Sequence, residues 1–175
     1  MGDGVGTVTE RPAQRVAAFE AVIRAQDAQL RGFAQRLVGG DVDDVMQVAY
    51  LAAFRAMPSF RGDASMSSWL HRIGYTTALN QVRTSGRRRR HDEFGAVAEI
   101  GGDMAAGVSG RVDLSRALAQ LPIDQCAALL LVDGQGFSYD EAAVVLGVNA
   151  GTVASRLSRA RAQVRVLLGD EGRRS

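Results

Sequence analysis

Residues 136–165 read GFSYDEAAVVLGVNAGTVASRLSRARAQVR. Ser138 and Glu141 stand three apart ahead of the apolar run AAVVL. In that spacing a serine hydroxyl and a glutamate carboxylate cap a helix start reciprocally. Gly147-Val148-Asn149 then breaks the helical period, with glycine suited to a sharp turn and Asn149 suited to capping the helix that follows. A short helix, a three-residue turn containing glycine and a longer basic helix form the helix-turn-helix pattern.

At 100 degrees per residue the last helix gathers Val153, Leu157, Ala160, Val164 and Leu168 into one stripe that must pack inward. Thr152, Ser155, Arg156 and Arg159 then point outward from its N-terminal half, and Arg161 and Arg165 fall on the other flank. The N-terminal half of such a helix is the part that enters a major groove, where arginine gives two hydrogen bonds to guanine O6 and N7. Arg161 and Arg165 are placed to hold phosphates or to solvate the helix.

Charge distribution supports a polyanion partner. The net charge of a 175-residue chain is only +2, and all 21 basic residues are arginine. They are segregated, however. Ala64 to His91 carries Arg72, Arg83 and the run Arg87, Arg88, Arg89 and Arg90 with no acid, and a second acid-free block runs from Ala142 to Gly169. Two basic surfaces are expected, both suited to nucleic acid.

Upstream, the helical period dominates as well. Residues 1–11 are a polar, Gly-rich tail, and Val16, Phe19, Ile23, Leu30, Phe33 and Leu37 recur at helical spacing until Gly39-Gly40. A second helix over about 41–57 puts Val42, Val45, Met46, Ala49 and Ala53 on one face and ends at Pro58. Its other face aligns Asp44, Gln47 and Leu51, an exposed leucine beside two polar residues, which suits a protein contact. The loop SFRGDAS offers Ser65 as an N-cap. Behind it a third helix, about 66–85, turns Met66, Trp69, Leu70, Ile73 and Thr77 inward and carries Arg72, Thr76 and Arg83 along another strip.

Residues 91–111 hold five glycines and no sustained period, as a flexible linker would. The expected organisation is therefore all-α, with a helical unit over 12–90, a linker over 91–111, a helix-turn-helix unit over 112–168 and a tail over 169–175. The single cysteine, Cys126, sits in the apolar run CAALLLV and is read as core. His71 and His91 lack metal-ligand spacing, and no cofactor or metal is implied. No run of about 18 apolar residues is present and MGDGVGTVTE lacks a secretory pattern, so a cytoplasmic location is expected.

Taken together, residues 41–83 and 118–165 resemble regions 2 and 4 of the extracytoplasmic-function (ECF) class of sigma-70 family sigma factors. The resemblance implies a two-domain helical protein that binds core RNA polymerase and directs it to promoters. It implies that Asp41, Asp44 and Gln47, in the pattern D-x-x-D-x-x-Q, contact polymerase together with Leu51. It implies that Arg61, Asp63, Ser65, Arg72, Thr76, Asn80 and Arg83 capture the minus-10 element, and that Thr152, Ser155, Arg156, Ser158 and Arg159 read the minus-35 element. Arg87 to Arg90, Arg161 and Arg165 supply phosphate contacts on this reading. Trp69 could stack on a base, but its place on the apolar stripe favours packing. Val48, Thr76, Ala154 and Ser158 depart from residues common in the family. An anti-sigma factor is a further partner that the resemblance implies.

Two other functions compete at this stage. A helix-turn-helix regulator that works without polymerase would share the C-terminal unit, although residues 12–90 lack the alternating strands and helices of a receiver domain. An enzyme would need a motif such as G-x-S-x-G, a phosphate loop or H-E-x-x-H, and the sequence contains none of them.

Overall fold

The computed structural model describes residues 12–39, 42–91 and 109–171, and every regular element among them is helical. The elements are α1 (Pro12–Val38), α2 (Val42–Ala56), a 3-10 turn (Met57–Ser59), α3 (Met66–His91), α4 (Ser109–Ala119), α5 (Ile123–Leu129), a π turn (Leu130–Gly134), α6 (Tyr139–Leu146) and α7 (Ala150–Glu171). The expected N-terminal tail lies outside the described residues, whereas α7 runs into the expected C-terminal tail as far as Glu171; the expected linker lies outside them apart from its ends, where α3 and α4 run past the boundaries inferred at 90 and 112.

Helices α1, α2 and α3 form an N-terminal unit around Leu30, Ala34, Val45, Met46, Leu70 and Ala78, all buried. The inward face of α2 is the one its period demands: Val42, Val45, Met46, Ala49 and Ala53 are buried. One glycine sets how closely α1 and α3 approach. A Cβ at Gly74 would stand 2.7 Å from Cδ1 of Leu30, a side chain with no room to retreat. Ser65 caps α3 as expected, its hydroxyl accepting from the Ser68 amide at 3.0 Å. Trp69 is partly buried and packs against this core, its ring 5.1 Å from that of Phe60.

The C-terminal unit, α4 to α7, closes around Cys126, Leu131, Val145, Val153 and Ala160. Cys126 is a core residue, and burial pushes its thiol up to about 11, which leaves it protonated and inert near neutral pH.

The two units meet along a seam that the sequence period did not announce. Phe33 of α1 and Tyr75 of α3 belong to the C-terminal core, with Leu37 and Leu79 packed beside them. The His71 ring lies 4.9 Å from Phe137 and 5.6 Å from Phe33, and the Gln135 side-chain amide donates to the Gln29 carbonyl at 2.8 Å. Helix α3 is thus buried on two sides, against its own unit and against α6.

His71 is fully buried in this seam. Its Nδ1 lies 2.9 Å from the Ser67 carbonyl, to which it donates as a neutral ring, while Nε2 and the Gln135 Oε1 have no partner. Burial lowers its pKa, against the smaller opposing effect of the Ser67 carbonyl. The unfolded chain takes up a proton on this ring near pH 6.5, whereas the folded chain resists it to lower pH. Stability contributed by His71 is therefore constant above about pH 6.5 and falls below it, by at most about 1.4 kcal/mol per pH unit. Urea unfolding at about pH 7.5 and 5.5 should show a loss in the wild type that is smaller in His71→Gln; equal losses would place the responsible proton elsewhere.

Candidate nucleic-acid interface

The angle between α6 and α7 is fixed by local chemistry. The Glu141 amide donates to the Ser138 hydroxyl at 3.2 Å, and the Ser138 amide donates to the Glu141 carboxylate at 2.9 Å, so the capping box is complete. Gly147 ends α6 with φ of 65°, a left-handed conformation that a Cβ would strain, and the Val148 amide returns to the Ala143 carbonyl at 3.1 Å. Asn149 then caps α7, its side-chain oxygen accepting from the Thr152 amide at 2.7 Å.

Rotation of α7 follows from its buried stripe. Val153, Leu157 and Ala160 are fully buried and Val164 is half-buried. Leu168 departs from the expected stripe and is exposed, as is Val166. Gln163 of α7 donates to the carbonyl of Gln120, just past the end of α4, at 3.4 Å. With this rotation Ser155, Ser158 and Arg159 face solvent, and Thr152 and Arg156 are half-buried beside them. The Ser155 hydroxyl donates back to the Thr152 carbonyl at 3.0 Å, a bond it can exchange for one to a base.

Although α7 has no acid near its arginines in sequence, two of the four are paired across space. Arg156 Nε lies 3.0 Å from Asp124 Oδ2 of α5. Arg161 donates twice to Asp133 of the π turn, from Nε at 2.9 Å and from Nη2 at 2.6 Å. That pair holds the Asp133 carboxyl below the usual carboxylate range and raises Arg161 above its own. Arg159 and Arg165 are exposed, and neither has a carboxylate partner among the described residues. The outward surface is thus Ser155, Ser158 and Arg159 with Arg156 held at its edge, and Arg161 is occupied by Asp133.

A second surface lies on α3. Arg72, Thr76, Asn80 and Arg83 are all exposed, at spacings of four, four and three that keep them on one side. The Thr76 hydroxyl is turned back onto the Arg72 carbonyl at 2.9 Å. Arg61, Asp63 and Ser65 are exposed in the loop that leads into the same helix. The strip borders the seam on one side, where Arg72 Nη1 reaches the Val144 carbonyl of α6 at 3.4 Å. On the other side it borders a groove of about 440 Å³ between α2 and α3, lined by Asp44, Gln47, Val48, Asn80 and Thr84 among others. Arg87 to Arg90 lie within the bounds of α3, but their side chains are outside the described residues.

The third surface is the outward face of α2. Asp44, Gln47 and Leu51 are exposed together, as their spacing required, and Asp41 lies outside the described residues. The structure adds two apolar members, Val48 and Phe54, each about as exposed as Leu51. Phe54 follows Leu51 by three and Gln47 by seven, a spacing that would have revealed it.

Comparison with known proteins decides which family carries these three surfaces. Residues 22–88 match the model of sigma-70 region 2, and residues 111–164 match that of sigma-70 region 4. The ECF RNA polymerase sigma factor SigM of Mycobacterium tuberculosis is 40% identical over 159 residues, covering 87% of this chain and 78% of SigM. The chain belongs to the ECF sigma-70 family. The ECF sigma-E factor of Escherichia coli K12 is 34% identical over 158 residues, covering 82% of this sigma factor and 83% of its own length. Among solved structures, the sigma factor RpoE of Bartonella quintana, in complex with the anti-sigma factor NepR, superimposes with a TM-score of 0.76 at 28% identity, covering 87% of this chain and 97% of RpoE.

In this sigma factor the region 2 match runs from within α1 through most of α3, and the region 4 match from the start of α4 into α7. The region 2 match removes the stand-alone regulator, since that reading left residues 12–90 without a role. As a sigma factor the chain is not itself an enzyme.

Proposed function

We infer that this sigma factor recruits core RNA polymerase through α2, captures the minus-10 element along α3 and reads the minus-35 element with α7. The observation that supports this reading is the separation of tasks by exposure: Asp44, Gln47 and Leu51 on α2, Arg72, Thr76, Asn80 and Arg83 on α3, and Ser155, Ser158 and Arg159 on α7 are left exposed while other faces of the same helices are buried.

Each surface fits its task physically. Opening DNA breaks stacking of about 1.4 kcal/mol per step, and extruding a base costs a few kcal/mol more. The α3 strip joins arginines for phosphates to Thr76 and Asn80 for base edges, which favours the open strand. The exposed serines and Arg159 on α7 meet duplex edges in a major groove. The apolar patch of α2, ringed by Asp44 and Gln47, has the composition of a protein contact rather than of a DNA contact. The absence among the described residues of any helix long and apolar enough to cross a membrane agrees with a cytoplasmic site of action, where polymerase and promoters are found. An anti-sigma factor is a further partner on this reading, by analogy with the solved RpoE–NepR pair.

Transcription in vitro with purified core polymerase on genomic fragments is the direct test: start-site choice that depends on this chain is the expected result. On the promoter so found, Arg159→Ala should cost about 1–3 kcal/mol of minus-35 recognition. Equal loss on matched and scrambled minus-35 duplexes would make Arg159 a phosphate contact instead.

A further inference from the structure

Arg156 and Arg159 lie one turn apart on the outward half of α7, yet they are held differently. Arg159 is exposed and pairs with no carboxylate among the described residues. Arg156 has its Nε 3.0 Å from Asp124 Oδ2, an ion pair whose side chains are 22% and 37% exposed. Asp124 is itself fixed, because its Oδ1 accepts from the Gln125 amide at 3.0 Å at the start of α5. Helices α5 and α7 pack closely within the same buried core, so the distance between the two residues is set by the fold.

The choice of nitrogen matters. A guanidinium has five N–H donors in a planar fork, and the edge that matches guanine O6 and N7 is formed by two of its nitrogens. A carboxylate standing on the Nε side leaves both terminal amino groups of Arg156 without a carboxylate partner among the described residues. Arg161 shows the opposite case, with Nε and Nη2 both spent on Asp133. An unanchored arginine also loses about 2 kcal/mol of side-chain freedom when it is ordered on DNA, a loss that a preformed fork largely avoids.

We propose that Asp124 is a positioning residue for promoter selectivity: from α5 its charge draws in the Nε side of the Arg156 guanidinium and leaves the terminal amino groups to one base pair of the minus-35 duplex. This rests on the reading that α7 enters the major groove. Asp124 touches no base. It makes Arg156 the rigid reader on this helix and leaves Arg159 the adaptable one.

The test uses the full chain with core polymerase and a promoter duplex randomised over the upstream element. Base preferences are measured for the wild type, Arg156→Ala, Arg159→Ala, Asp124→Asn and Asp124→Glu. Asp124→Asn keeps an oxygen for the Gln125 amide but removes the charge that anchors Arg156. The expected result is that Asp124→Asn reduces, by about fivefold or more, the preference at the base pair whose reading is lost in Arg156→Ala. It should spare the pair assigned by Arg159→Ala, and Asp124→Glu should restore part of the loss. A preference in Asp124→Asn that equals or exceeds the wild type at the Arg156-dependent pair overturns the proposal, because Asp124 would then be idle or a competitor of DNA. Uniform loss at every position, with a lowered melting temperature, also overturns it and reduces Asp124 to a fold contact. If Arg156→Ala alters no base preference, the placement of Arg156 in the groove fails along with the proposal; if instead the wild type has no upstream preference, it is the minus-35 reading of α7 as a whole that fails.

Discussion

Leu51→Asp is expected to weaken association with core RNA polymerase by about 30-fold or more, which is the loss of one central contact of about 2 kcal/mol. Leu51 is half exposed and stands at the middle of the outward stripe of α2, between Val48 and Phe54 on the apolar side and Asp44 and Gln47 on the polar side. Val48 and Leu51 face away from the core of region 2, whose side of α2 is filled by Val45, Met46, Ala49 and Ala53, and Phe54 touches that core only with one ring edge against Phe19. A carboxylate placed there is well solvated in the free chain, so folding should change by less than about 0.5 kcal/mol. In a complex the same carboxylate would be buried among apolar groups without a partner, which is where the penalty arises. Titration of labelled sigma factor with core polymerase measures the affinity, and urea unfolding of the variant checks that region 2 is intact. Binding within about threefold of the wild type would take the α2 face out of the interface.

The contrast between what the chain announced and what it concealed follows from the range of the interactions. The cap at Ser138, the turn at Gly147 and the cap at Asn149 are hydrogen bonds between residues three to five apart, and residue type alone specifies them. The inward faces of α2 and of most of α7 were legible for the same reason, since period fixes rotation. The ion partners of α7 were not legible: Asp133 is 28 residues away from Arg161, and the acid-free block around the arginines suggested that all four were unpaired. The second buried side of α3 was hidden in a similar way. His71 and Tyr75 look like polar interruptions of a helix until α6 is placed on them, and Phe33 looks like one more residue of the α1 stripe until it is found in the core of region 4. Leu168 fails in the other direction: period assigns it to the buried stripe, but burial also needs a neighbouring element over the residue, which period does not specify, and it is exposed.

Phe33→Ala should therefore destabilise more than one unit. Phe33 is 1% exposed, belongs to the cluster that includes Cys126, Leu131 and Val145, and lies against the His71 ring. Removing the ring leaves a cavity at the seam that neither α3 nor the C-terminal core fills without moving, and losses for buried Phe→Ala are about 3–5 kcal/mol. Leu30→Ala provides the comparison, since Leu30 is as deeply buried but sits in the N-terminal core alone. Both variants should lower the urea midpoint of the full chain. Only Phe33→Ala should also speed amide exchange in α5 and α6, because of the two side chains only that of Phe33, carried on α1, belongs to the C-terminal core. If the faster exchange stays within α1 to α3 for both variants, the seam does not couple the units, and α6 rests on α3 without lending it stability.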